Sequence, residues 1–139
     1  MKLRKTRRGK FVKYLVRILR REKVKNIKFG KDWVSFEYDG EKIKDKIVIK
    51  KHEGHVGTWA ATKDKVYVDD DLKGKRDVKA VALHEAIEKF LAQKYGLRDD
   101  VEAHYLADFK EKEFLERVDG TWAEHQRKVN KVWRKEGKK

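Results

Sequence analysis

Residues 81–95 read VALHEAIEKFLAQKY, and the fold turns on whether this is a core helix that carries charge on its buried face. On a helical wheel at ~100° per residue, the stretch from Val78 to Tyr95 divides into two arcs. Lys79, Lys89 and Gln93 share one sector with small alanines. Opposite them run Phe90, Leu83, Ile87, Ala80 and Leu91, and the arc continues through His84, Tyr95, Glu88 and Val81. His84 and Glu88 are therefore one turn apart between Leu91 and Val81, with Glu85 on the edge of the arc. Asp77 is the expected N-cap and Gly96 the expected C′ residue. An isolated carboxylate in such a place costs several kcal/mol, roughly, unless a partner or a cation answers it.

Working outward to the C-terminus, the pattern recurs. A second helix is expected from a cap at Asp99 or Asp100 to about Val118, stopped by Asp119-Gly120. Its apolar arc, Val101, Ala103, Ala107, Phe114, Leu115 and Val118, encloses His104 and Glu111, with Asp108 on the same side. Helices joined by a tight turn at Gly96 pack antiparallel, so His84, Glu88, His104 and Glu111 are expected to converge. Thr121 and Glu124 form a capping box for a third helix that runs into a basic tail.

Toward the N-terminus lies a β region. VKNIKF (24–29) and WVSFEY (33–38) alternate, and Asp39-Gly40 marks a hairpin before EKIKDKIVIK (41–50). KHEGHVGTWAATKD (51–64) reads as a loop and KVYVD (65–69) as a short strand. From 10 to 23, Phe11, Leu15, Ile18 and Leu19 recur at helical spacing in a basic amphipathic helix, and residues 1–9 form a basic arm. The expectation is one α+β domain over 10–139: an N-terminal basic helix, a small antiparallel sheet of three to four strands, and three C-terminal helices.

Charge is unevenly placed. Residues 1–31 hold 14 Lys/Arg and one acid, Glu22, and residues 126–139 hold seven and one acid, Glu136. With a total of +14, the stretch 32–125 is left at −5. Lys2, Arg4, Lys5, Arg7, Arg8 and Lys10 are candidates for nucleic-acid phosphate contacts, against the plainer reading of a solubilising surface. An acidic protein or an anionic lipid surface is a further reading of the same charge. No helix-turn-helix, zinc-finger or RNA-recognition signature is present. There is no cysteine, which excludes disulfides and thiolate zinc sites and favours a cytoplasmic setting. No apolar run approaches membrane-spanning length. One Met, two Asn, two Gln and 45% charged residues match the composition of hyperthermophile proteins, although proline is absent.

Imidazole and carboxylate donors without thiolate suit Zn²⁺, with Mn²⁺ or Fe²⁺ as lesser alternatives. HEAIE (84–88) resembles the H-E-x-x-H helix of zinc metallopeptidases, the zincins. VALHEAIEKFLAQKYG followed by EAHYLADFKEKE is similar to small archaeal proteins, some carried on mobile genetic elements. That likeness spans about residues 65–118. It implies a minimal zincin-like core, with KVYVD as edge strand, and a metal-dependent hydrolase acting on a peptide or protein. His84, Glu88 and His104 would be ligands, Glu111 a fourth ligand or a partner behind them, and Glu85 the general base. Position 88 departs from the motif, being Glu where zincins have His, so a degenerate peptidase is also open.

The plainer alternatives stand beside this. His84 and Glu88 also read as a hydrogen-bonded core pair, Glu85 as an exposed edge residue, and Glu111 as a partner of Lys110 or Lys112. The cluster is then structural, in a non-enzymatic nucleic-acid-binding protein. His52 and His55 read as loop histidines, His125 as structural, and Asp69-Asp70-Asp71 as acids that close a turn.

Overall fold

The computed structural model describes residues 23–51, 56–59, 64–96 and 102–137. It is an α+β arrangement of five strands and three helices among those residues: β1 (Val24–Phe29), β2 (Trp33–Tyr38), β3 (Glu41–Lys50), β4 (Gly57–Thr58), β5 (Lys65–Asp69), α1 (Lys75–Tyr95), α2 (Glu102–Arg117) and α3 (Trp122–Gly137). The expected helix over 10–23 lies outside the described residues except for Lys23, which sits in a turn.

The sheet has five strands in the order β1-β2-β3-β5-β4, against an expectation of three or four, and it is mixed. β1, β2 and β3 form an antiparallel meander, β5 runs parallel to β3, and β4 runs antiparallel to β5. KVYVD is therefore interior and not the edge strand. The segment expected to be wholly loop supplies the edge in its Gly57-Thr58. Burial explains the exchange. Val66 and Val68 of β5 are fully buried and take the slot with neighbours on both sides, while a two-residue strand makes a short, blunted edge.

Asp39 and Gly40 both take positive φ in the hairpin between β2 and β3, as the Asp-Gly turn predicts. Val34, Phe36 and Tyr38 of β2 alternate onto the core face with Ile47 of β3. Phe90 closes on the rings of Phe36 and Tyr38, at 5.9 and 5.2 Å between centroids. Each such large apolar side chain contributes about 1.5–3 kcal/mol on burial.

α1 is buried nearly all round: between Ala80 and Leu91, Glu85 alone escapes full burial. Lys89, expected in the polar sector, is 3% exposed and bonds to Asp45 of β3 at 2.7 Å. The helix starts at Lys75, with Gly74 at φ 102° in the cap position. Asp77 is thus not the N-cap. It lies in the first turn, and its carboxylate is engaged by α3. Gly96 ends the helix as expected, in the left-handed region at φ 65°, its N–H bonded to Ala92 O. The Asp99 or Asp100 cap lies outside the described residues. α2 stops at Arg117, after which Asp119 (φ 59°) turns the chain and Gly120 N–H bonds Leu115 O at 2.8 Å. Glu124 N–H donates to Thr121 Oγ1 at 3.3 Å, one half of the expected capping box.

Candidate metal centre

α1 and α2 pack face to face, and Ala103, Leu106 and Ala107 of α2 are fully buried. The small alanines allow the close approach that brings His84 and His104 together, with ring centroids 4.9 Å apart. Stripes at i, i+4 and i+7 place the polar groups. α1 offers Asp77, His84 and Glu88, α2 offers His104, Asp108 and Glu111, and α3 adds His125.

His84 Nε2 lies 2.6 Å from Glu88 Oε2, and His104 Nδ1 lies 3.1 Å from that same oxygen. The far side of each ring is held as well. His84 Nδ1 faces Glu111 Oε1 at 2.8 Å and Asp108 Oδ1 at 3.2 Å, while His104 Nε2 faces Asp108 Oδ2 at 3.1 Å. Behind them, His125 Nε2 bonds Glu111 Oε2, His125 Nδ1 lies 2.8 Å from Asp77 Oδ1, and Lys128 donates to Asp77 Oδ2 at 2.9 Å. The result is a continuous chain: Lys128, Asp77, His125, Glu111, His84, then Glu88 and Asp108, closing on His104.

Each of the three rings has carboxylate oxygens against both nitrogens. A neutral imidazole donates from one nitrogen only, so the contacts are all satisfied together when the rings are imidazolium. Electrostatics agree. Burial alone would depress the pKa of His84, but its bonds to Asp108, Glu111 and Glu88 outweigh that and hold it well above the usual value. Bonds to Asp108 and Glu88 lift His104 to about 9. Burial opposes the charge on Glu88, yet His104 and His84 bring it down to about 2. The same contest lowers Asp108, through His104 and His84, and Glu111, through His125 and His84. His125 is raised by Glu111 and Asp77 against its burial.

Glu85 is different. Burial pushes its carboxyl up to about 8, with Glu88 and Glu111 adding to the rise and His84 opposing it. The β4 backbone presses on this part of α1. A Cβ on Gly57 would stand 2.8 Å from Val81 Cγ1 and 2.9 Å from Glu85 Cγ, which is why the edge strand carries glycine there. Just beyond it, Trp59 Nε1 donates a long bond to Glu88 Oε1 at 3.4 Å. Glu85 and Glu88 therefore line the side of the cluster that faces the sheet edge.

Of the residues expected to converge, His84, Glu88, His104 and Glu111 do, and Glu85 adjoins them. Among the described residues, one trio around the histidines offers mutually close ligand atoms. A ligand atom each from His84, His104 and Asp108 lie within 4.8 Å of one another. His84 Nε2 and His104 Nδ1 share Glu88, with Glu111 and Asp108 holding the opposite nitrogens. This sharing follows the usual construction of histidine metal sites, in which each ligating ring donates its other N–H to a carboxylate. Two imidazoles with a carboxylate and no thiolate fit zinc.

Asp77, expected as the N-cap, His125, expected as structural, and Trp59 also belong to the network. Asp77 was discoverable, since it sits two turns before His84 on one stripe. His125 shares a stripe with Val129 and Val132, but that stripe does not say which acids it meets. Lys110 is buried and bonds Glu113, not Glu111. The Asp69-Asp70-Asp71 acids also bring oxygens together, and Asp69 Oδ1 accepts the Asp71 N–H at 2.8 Å, as a turn-closing acid does. His52, His55 and the basic residues from Lys2 to Lys10 lie outside the described residues. No described helix is long and apolar enough to cross a membrane. Comparison of the chain with models of known protein families, with curated proteins and with solved structures gives no match.

Proposed function

We propose that this chain is a zinc-binding, zincin-like hydrolase of peptide bonds, with His84, Glu88 and His104 as the residues that would hold the ion. The observation that carries the reading is the single Glu88 oxygen shared by two imidazole nitrogens, each on a ring whose other nitrogen is fixed by a carboxylate. Glu111 and Asp108 fix the ring orientations, and His125 with Asp77 fixes Glu111 in turn.

Charge balance is compatible with a divalent ion. Asp77, Glu88, Asp108 and Glu111 are matched by Lys128 and three imidazolium rings, with Glu85 neutral. Replacing one proton on His84 and one on His104 by a doubly charged ion preserves that balance, so uptake is expected to release about two protons per ion near neutral pH. A bound divalent ion supplies Lewis acidity, polarising a carbonyl and lowering the pKa of a water toward ~7. Glu85, beside the sheet edge, accepts and returns the proton of that hydrolysis. Its carboxyl is neutral at pH 7 while it titrates at about 8, and added positive charge beside it draws it toward the ionised form that a base requires.

The completeness of the hydrogen bonding favours a second reading, in which the cluster is an ion-pair core that uses protons and no metal. Calorimetric titration of chelator-treated protein with zinc separates the two. The expected result is one ion per chain, loss of binding in His84→Ala, and full binding without peptide hydrolysis in Glu85→Gln. Wild-type protein that takes up no zinc overturns the metal reading. Zinc uptake by wild-type protein that hydrolyses no peptide substrate overturns the hydrolase reading and leaves a metal-binding protein.

A further inference from the structure

The helices with described sheet contacts pack on the face that carries Val34, Phe36, Tyr38, Ile47, Val66 and Val68. Residues paired across neighbouring strands share a face, so the register defines the opposite one. Trp33 pairs with Lys46, which pairs with Lys65; Ser35 pairs with Lys28 on one side and Lys44 on the other. Val48 pairs with Tyr67, and Glu37 with Lys25 and Lys42. The lysines of these rows are exposed, while Trp33 and Tyr67 are half-buried. The rows carry two acids: Glu37, whose carboxylate accepts the Asn26 amide at 2.6 Å, and Asp69, which pairs with Lys50 and is buried.

Carboxylates gather around the histidines between the helices, and a row of exposed lysines lines the outside of the sheet. Lys46 and Lys65 stand directly opposite one another, a like-charge pairing that weakens a sheet. Two rings lie in the field. Lys44 Nζ sits 4.5 Å from the Trp33 ring centroid and Lys50 Nζ 4.3 Å from that of Tyr67. Strand spacing and rise place the two rings on the order of 12 Å apart. A concavity of about 310 Å³ lies beside Trp33, lined by Lys28, Ser35, Glu37, Lys42 and Lys44.

We propose that this outer sheet face binds single-stranded nucleic acid, the lysines meeting phosphates and the Trp33 and Tyr67 rings stacking on bases. The occupant follows from complementarity: a row of cations asks for a polyanion, and aromatic rings among them ask for exposed bases, which a duplex hides. A base that takes the ring face displaces the lysine ammonium above it, which remains within reach of a phosphate. This face is separate from the histidine cluster and does not depend on it.

The test is fluorescence anisotropy of a labelled oligothymidylate with the full chain over a range of salt. Lys44→Glu with Lys46→Glu is expected to weaken binding by on the order of tenfold or more, and to flatten the plot of log K against log salt by about 0.7 per lost phosphate contact. Lys46→Glu faces Lys65 with an opposite charge, so its Tm is expected to hold or rise, which separates lost binding from lost folding. Tyr67→Ala is expected to weaken binding by roughly 5- to 100-fold with the salt slope unchanged, since stacking releases no counterions. Unchanged affinity and slope in the double variant place the phosphate contacts elsewhere, for instance on the basic termini, and overturn the proposal. So does equal affinity for a duplex of the same length with no effect of Tyr67→Ala. Binding to phosphatidylserine vesicles in the absence of oligonucleotide binding overturns it in favour of a lipid surface.

Discussion

α1 buries charge in two places, and the two are built differently. Lys89 and Asp45 form a closed pair, one ammonium on one carboxylate oxygen at 2.7 Å, both residues under 4% exposed. Burial raises the Asp45 carboxyl, and the bond to Lys89 opposes that rise without cancelling it. The second Asp45 oxygen has no hydrogen-bond partner among the described residues. Around His84, by contrast, acceptors outnumber rings, one Glu88 oxygen serves two nitrogens, and a relay of further groups holds every ring at both ends. The lesson is that burial of charge is no mark of a site. The first place holds a single pair; the second holds a network in which one carboxylate oxygen is shared by two rings.

The largest effect is expected where the closed pair is broken. Lys89→Ala leaves Asp45 buried and unanswered, and urea unfolding should show a loss of about 3–5 kcal/mol. Zinc affinity measured on the same variant should stay at the wild-type value. If it falls with stability, the two buried regions are one unit and the contrast between them fails.

A smaller effect, on the other side of the comparison, comes from Glu111→Gln. It keeps the shape but removes the charge that faces His84 and His125. Calorimetry should show zinc bound about 10–100-fold more weakly, as for other groups that orient a ligating histidine. A change in stability with no change in zinc affinity assigns the cluster to the same class as the Lys89–Asp45 pair.

The smallest effect is the pH dependence of Tm in chelator-treated protein. His104 is raised from 6.5 to about 9, so its contribution is full below 6.5 and is lost as the pH climbs to about 9. Glu85, raised from 4.5 to about 8, adds a decline over that interval. Glu88 is lowered from 4.5 to about 2, so what it contributes is present above 4.5 and disappears as the pH falls to about 2. Tm should therefore peak between about 4.5 and 6.5 and fall on both sides. With zinc present the alkaline decline should shrink, because the ion takes over from the imidazole protons. A decline of equal size with and without zinc removes the ion from the cluster.

How much of this was legible beforehand depends on the kind of signal. The convergence of His84, Glu88, His104 and Glu111 follows from helical period and a short connection, both local. Asp108 was visible on the correct face, without its role as the bridge between the two rings. Lys89 was misread for an equally physical reason. A wheel assigns one outer sector to a helix, whereas α1 has the sheet on one side and α2 on another, and little of it meets water. The interior position of KVYVD was not readable at all, because strand order depends on where the chain returns after residues 51–64.

Taken alone, the sequence determined what periodicity and turn chemistry encode: the α+β class, the hairpin at Asp39-Gly40, the helix stops at Gly96 and Gly120, and the polar stripes on two adjoining helices. These are interactions between residues a few positions apart, and each has its own energetic preference. Tertiary structure alone decided the order of the sheet, the burial of Lys89 on Asp45, the reach of His125 and Asp77 into the cluster, and the alignment of lysines from β1, β3 and β5 on the outer face of the sheet. Those depend on contacts between distant segments, which form only when the apolar faces choose their partners. No local spacing records that choice.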